Sequence, residues 1–189
     1  MDVNTYFVLC PLKIITTNLG IPFEYKQKYI KEVYSIKDYQ NHSTNVKASM
    51  SSWRIWEQNP KFNILLDSIY KTIQRTNPLD NNLNQKYDLV SCWSTIYTKS
   101  NFTISHSHEP SYLSFVYYLQ SDSSTPIIFD DCNFEIIPKD DLLVIFPSTL
   151  THHVPPHKSD KDRVVIAGNL EITSKDSNCN KFAYIPTNN

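Results

Sequence analysis

The amino-acid sequence predicts a mainly β domain with flanking helices, of the jelly-roll, cupin-like kind. Three observations carry this. Short apolar segments separated by turn residues follow one another through 87–172. Clear helical spacing is confined to the chain before them. Histidines gather around two of the strand candidates, so the β region has a polar interior, as some jelly rolls do. With 189 residues, 40% of them apolar, the chain can bury a core without staples. The predicted organisation is a single domain over 1–189. Within it, 1–86 is an N-terminal strand and helix elaboration and 87–172 is the jelly-roll core.

Residues 3–19 read as one or two short strands broken at Pro11, which cannot donate to a ladder. Residues 24–38 place Tyr25, Tyr29, Val33 and Ile36 at near-helical spacing, and the polar stretch 39–60 reads as loop. From Pro60, the residues Phe62, Leu65, Leu66, Ile69, Tyr70 and Ile73 form the clearest amphipathic stripe. It predicts a helix to about Thr76, stopped by Asn77-Pro78 and covering one face of a sheet. Strands are predicted at 87–97, 101–108, 112–120, 126–130, 133–137, 142–146, 151–154 and 162–172. Asp130-Asp131 reads as a turn between two of them and Trp93 as core. Only Gly20 and Gly168 are glycines, so the turns must be built from Asn, Asp, Ser and Pro.

Composition also narrows the function. Two glycines cannot make a phosphate-cradling loop, which removes the P-loop and Rossmann classes. A net charge of −1 with dispersed Lys and Arg argues against nucleic acid as a partner, and no apolar run is long enough to span a membrane. The cysteines Cys10, Cys92, Cys132 and Cys179 form no CxxC pair, which argues against a zinc ribbon. The start of the chain lacks the pattern of a secretory leader, so the expected location is cytoplasmic, with reduced thiols.

The chemistry is concentrated in three places. His106 and His108 lie two apart, so an extended strand would turn both to one face. His152, in the pair His152-His153, would add a third ligand from a distant strand. Three ligands on one side of an ion leave the opposite positions open, which suits a catalytic iron. The common iron triad has a carboxylate where His108 stands. The adjacent Glu109 would face the other way on a continuing strand. Each histidine segment, taken alone, also fits solvent-facing polar residues at a strand end. Arg163 opens the apolar run Val164-Val165-Ile166-Ala167. It either faces water at the strand's start or aims a guanidinium fork inward at a carboxylate. On 112–120, alternation sets Ser114, Val116 and Tyr118 against Phe115, Tyr117 and Leu119 and leaves open which face lines the pocket.

The segments WSTIYTKSNFTISHSHEPSYLSFVYYL and LLVIFPSTLTHHVPPHKSDKDRVVIAGNL resemble the paired motifs of a family of 2-oxoglutarate- and Fe(II)-dependent oxygenases found in marine bacteria and their phages. The resemblance covers roughly 50–172. It implies a double-stranded β-helix, iron held by His106, His108 and His152, and Arg163 on the distal carboxylate of 2-oxoglutarate. Ser114 and Tyr118 join Arg163 as co-substrate candidates. The chain departs from the motifs at Ser94, Phe115, Asp141 and Val165, where the family pattern has Asn, Gly, Gly and Ser.

The resulting expectation is an oxygenase that hydroxylates a small-molecule or peptide substrate and releases succinate and CO₂. Its cofactors would be Fe(II) and 2-oxoglutarate, with homodimer formation left open. An Asn-, Ile-, Lys- and Tyr-rich composition fits an AT-rich genome such as a phage's, which would place the protein in the host cytoplasm. Two rivals are a three-histidine metal dioxygenase that uses no 2-oxo acid and a silent jelly-roll binding module. The polar segments 39–60 and 76–86 are candidate lids.

Overall fold

The computed structural model describes residues 13–36, 44–76 and 86–173. The strand expected before Pro11, the stop at Asn77-Pro78, Cys10, Cys179 and most of the 76–86 segment lie outside them. In chain order come β1 (Ile15–Asn18), α1 (Phe23–Ser35), β2 (Val46–Lys47), β3 (Ser49–Met50), α2 (Ile55–Gln58) and α3 (Asn63–Thr76). Then follow β4 (Tyr87–Tyr97), β5 (Phe102–His106), β6 (Leu113–Gln120), β7 (Ile127–Phe129), β8 (Phe134–Ile136), β9 (Leu142–Pro147), β10 (His152–Val154) and β11 (Arg163–Ile172).

The strands form two antiparallel sheets, ordered β1-β9-β6-β11-β4-β3 and β2-β5-β10-β7-β8. From β4 onward the chain passes from one sheet to the other at each step, except at the β7–β8 hairpin. That path winds a two-layered jelly roll. In the larger sheet, β11 pairs with β4 on one side and β6 on the other, and core residues pack on both its faces.

Strand alternation divides the core in two. Phe115, Tyr117, Leu119, Val164 and Ile166 face α1 and α3, whose contributions include Val33, Leu65, Leu66, Ile69 and Ile73. Val116, Tyr118 and Val165 turn the other way and meet Ile127, Phe129 and Val154 of the smaller sheet. The cavity opens in this second layer.

Two expectations change. Residues 44–60 are not loop. β2 pairs with β5, β3 pairs with β4, and Ser51 and Ser94 exchange two further hydrogen bonds of 3.0 and 2.9 Å. The stretch 44–53 is therefore a strap carried from the edge of one sheet to the edge of the other. Its strands are two residues long, too short to leave a period in the sequence. The second change is at 101–108, where β5 ends at His106 and His108 lies beyond the strand. Pro110 has no N–H to continue a ladder, and the chain turns, with Ser111 N–H donating to the His108 carbonyl. Asp130-Asp131 is the turn between β7 and β8, as expected, in the form of a single 3₁₀ turn, Asp130–Cys132.

Candidate metal and anion site

His106 and His152 are direct cross-strand partners on the neighbouring strands β5 and β10. Their rings sit 4.5 Å apart between centroids. His108 reaches the same point from the turn after β5, with ring centroids 4.7 Å from His106 and 5.1 Å from His152. One ligand atom from each of the three lies within 4.8 Å of the others. The i, i+2 strand argument thus holds for the location of His108 but not for its cause. Its backbone is instead hung from the loop after β9, where the Ser148 carbonyl accepts its N–H at 2.8 Å.

Two of the rings have fixed orientations. His106 Nδ1 lies 2.7 Å from the Ile104 carbonyl and His152 Nδ1 lies 2.9 Å from the Leu150 carbonyl. A carbonyl only accepts, so Nδ1 carries the proton and Nε2 is left as the free lone pair. No ring hydrogen bond of this kind is found for His108 among the described residues; its neighbour is Trp93, at 5.8 Å between centroids.

Burial and mutual repulsion keep the cluster neutral. Burial is the main cause that drives His108 down to about 3, reinforced by the charges of His152 and His106. Burial takes His152 down to about 4 and lowers His106 as well. Neutral imidazole is the form that ligates a metal. The chemistry of the donor set therefore fits a divalent transition ion, and no carboxylate joins it among the described residues.

His153 points the opposite way, as alternation requires. Its Nδ1 is 2.7 Å from Asp130 Oδ1, and Asp130 Oδ2 accepts from the Ser105 hydroxyl at 2.5 Å. The Ser105 bond is the largest cause lowering the Asp130 carboxyl. This network ties the β5–β10 pair together on its outer face, behind the two histidine-bearing strands.

The cavity beside the histidines is lined by Thr95, Tyr97 and Thr103, by Val46 of the strap, and by Val116 and Tyr118 of β6. Trp93 is buried, as expected of core, and also forms part of this wall. Arg163 reaches in from β11 and is 1% exposed. Its Nη2 donates to the Thr125 carbonyl. Its Nε and Nη1 are buried with no partner among the described residues. The rings of Tyr97 and Tyr118 flank the guanidinium, each centroid 5.9 Å from Cζ. No carboxylate pairs with it among the described residues. A buried guanidinium with two unused donors in a cavity wall has the chemistry to receive an anion.

Ser114 does not line this cavity. Its hydroxyl is engaged by Ser148 Oγ at 2.7 Å and Asn169 Oδ1 at 2.9 Å, behind the wall. Through Ser148 it braces the segment from which His108 hangs. Tyr118 does line the cavity, so the face carrying Val116 and Tyr118 is the inner one. Val46, Thr95, Tyr97, Thr103 and Thr125 had not been singled out from sequence. For Tyr97 and Thr95 the available signal was strand parity with Trp93 on β4.

No protein-family model matches the sequence, and no curated protein matches it. Solved structures do. The viral collagen prolyl hydroxylase of Paramecium bursaria Chlorella virus-1, in complex with 2-oxoglutarate, superposes with a TM-score of 0.63 at 13% identity, over 83% of this chain and 94% of that one. A Pseudomonas putida prolyl-4-hydroxylase gives 0.62 at 15% identity, over 88% and 96%. HygX from Streptomyces hygroscopicus, with nickel and 2-oxoglutarate bound, gives 0.66 at 11% identity, over 94% and 93%. The shared fold is the double-stranded β-helix.

Proposed function

We propose that the protein is a 2-oxoglutarate-dependent, non-haem Fe(II) oxygenase that hydroxylates a small-molecule or peptide substrate. One observation carries the reading: a three-histidine metal cluster and a buried arginine with two unpartnered donors open onto the same cavity. A metal alone would explain the histidines. An anionic co-ligand accounts for Nε and Nη1 of Arg163 being left unsatisfied in the wall. The neighbours in complex with 2-oxoglutarate support the same choice of anion.

In this reading His106 and His152 hold the metal through Nε2, and the carbonyls of Ile104 and Leu150 keep those rings aimed. His108 completes the face. Arg163 receives the distal carboxylate through a donor that Thr125 leaves free, with Tyr97 and Tyr118 flanking the guanidinium. Val46, Val116 and Val165 keep the remaining wall apolar, which strengthens each polar contact inside. Bound iron and 2-oxo acid supply the oxidising chemistry, in which substrate R–H, 2-oxoglutarate and O₂ give R–OH, succinate and CO₂.

The test is succinate formation by protein loaded anaerobically with Fe(II) and then given 2-oxoglutarate and O₂, beside His152→Ala and Arg163→Ala. Succinate from the wild type and from neither variant supports the reading. Stoichiometric metal binding without any binding of 2-oxoglutarate would replace it with a three-histidine dioxygenase that takes its substrate directly. Absence of metal binding would leave a binding module.

A further inference from the structure

The contact that sets the Arg163 guanidinium is a backbone carbonyl, that of Thr125, in the irregular segment between β6 and β7. That segment is held by His157, a histidine the metal cluster leaves out. His157 is 2% exposed. Its Nε2 lies 2.8 Å from the Lys161 carbonyl and its Nδ1 3.5 Å from Thr125 Oγ1. Because the carbonyl can only accept, Nε2 carries the proton and Nδ1 faces the Thr125 hydroxyl as an acceptor, a hydroxyl that also lies 3.3 Å from Ser124 Oγ. Thr125 Oγ1 in turn accepts the Lys158 N–H at 3.3 Å. The main chain of His157 is pinned too: its N–H donates to Asn101 O and its carbonyl accepts from Ser100 N–H, both at 2.8 Å. Three irregular segments therefore meet on one buried residue, the segment around 100 through the main chain of His157 and those around 125 and 161 through its imidazole, one residue away from the guanidinium.

We infer that His157 is a positioning residue for co-substrate selection: through Thr125 it fixes the arginine rotamer that leaves Nε and Nη1 free in the cavity. The inference rests on the reading of Arg163 as the carboxylate socket. A histidine that merely closed three loops would affect stability alone. A positioning residue must alter discrimination between 2-oxo acids that do and do not carry a distal carboxylate.

The experiment is calorimetric titration of the Ni(II)-loaded, full-length protein with 2-oxoglutarate and with 2-oxopentanoate, which has the same chain length and ends in a methyl group. His157→Ala is expected to weaken 2-oxoglutarate binding about tenfold and to leave 2-oxopentanoate and Ni(II) affinities within about twofold. Thr125→Val, nearly isosteric and lacking the hydroxyl, is expected to shift the same ratio by about threefold. It decides the matter if His157→Ala does not fold. Variants that keep the wild-type preference for 2-oxoglutarate overturn the role of His157 while leaving Arg163 in place. A wild type with no such preference overturns the arginine reading, and this inference with it.

Discussion

The Tyr117 hydroxyl donates a 2.7 Å hydrogen bond to Asp141 Oδ1. Asp141 stands where the resembled motif has glycine, and its backbone has kept the left-handed conformation, φ +74°. The carboxylate compensates. Besides Tyr117, it accepts the N–H groups of Gly20 and Ile21 at 2.8 and 3.2 Å and so ties the entry to α1 onto the corner before β9. Burial and the facing carboxylate push the Tyr117 hydroxyl far above the usual phenol range, so it remains a donor. Asp141→Gly relieves the left-handed strain, about 1 kcal/mol, but forfeits three charge-assisted bonds. The expected net loss is about 2 kcal/mol, read as a lower urea midpoint. A midpoint equal to or above the wild type would mean the carboxylate contributes nothing beyond tolerating the turn.

On the proposed reading, Arg163 is a liability for the empty protein and an asset for the occupied one. A buried cation without an anion costs stability, and an apolar side chain of similar length removes that cost. Arg163→Met should therefore stabilise the metal-loaded, co-substrate-free protein by about 2 kcal/mol. It should also abolish the further rise in melting temperature that 2-oxoglutarate gives the wild type. Arg163→Lys, which keeps the charge but not the fork, should retain only part of that rise. Destabilisation by Met in the absence of ligand would point instead to a structural role for the guanidinium.

How far the sequence reveals this site depends on where the determining contacts lie. The helix over 63–76 and the long strands β4 and β11 were legible because their patterns are local: an i, i+3, i+4 stripe and apolar runs bounded by turn residues. The direction of Arg163 was not. Both faces of β11 are buried, so no alternation of apolar and polar residues tells inside from outside. The strap at 44–53 was illegible for a different reason, since its two-residue strands exist only by pairing with β4 and β5. His106 and His152 were found because chemistry marks them. Their orienting partners, the Ile104 and Leu150 carbonyls, are main-chain atoms that any residue would supply.

The three histidines are not equivalent. His106 and His152 sit on paired strands with oriented rings, whereas His108 lies beyond the strand and no ring hydrogen bond is found for it among the described residues. Ni(II) titration should rank the losses accordingly. His106→Ala and His152→Ala are expected to lose at least about a hundredfold in affinity and His108→Ala distinctly less. His108→Asp should keep the metal, because it restores the two-histidine, one-carboxylate set and, outside the cluster itself, Trp93 is the one ring found against His108 among the described residues. A hierarchy headed by His108 would contradict this.

The depressed histidines also make a pH prediction. His152 is 5% exposed and held at about 4 in the fold, against roughly 6.5 in an unfolded chain. Between those values the unfolded chain binds a proton that the folded one refuses. Unfolding then takes up protons, and the stability of the metal-free protein falls as pH drops below 6.5. His152 alone accounts for about 2 kcal/mol between pH 7 and pH 5. His108, driven to about 3, acts in the same direction. The carboxylates with lowered values, Glu32, Asp122 and Asp130, titrate mostly below this window. Urea unfolding in the presence of a chelator, at pH 7 and pH 5, should therefore show a smaller loss for His152→Gln than for the wild type, by about 2 kcal/mol. Parallel losses in the two proteins would mean that the His152 imidazole is already protonated in the metal-free fold, and that the cluster opens to water when no metal holds it.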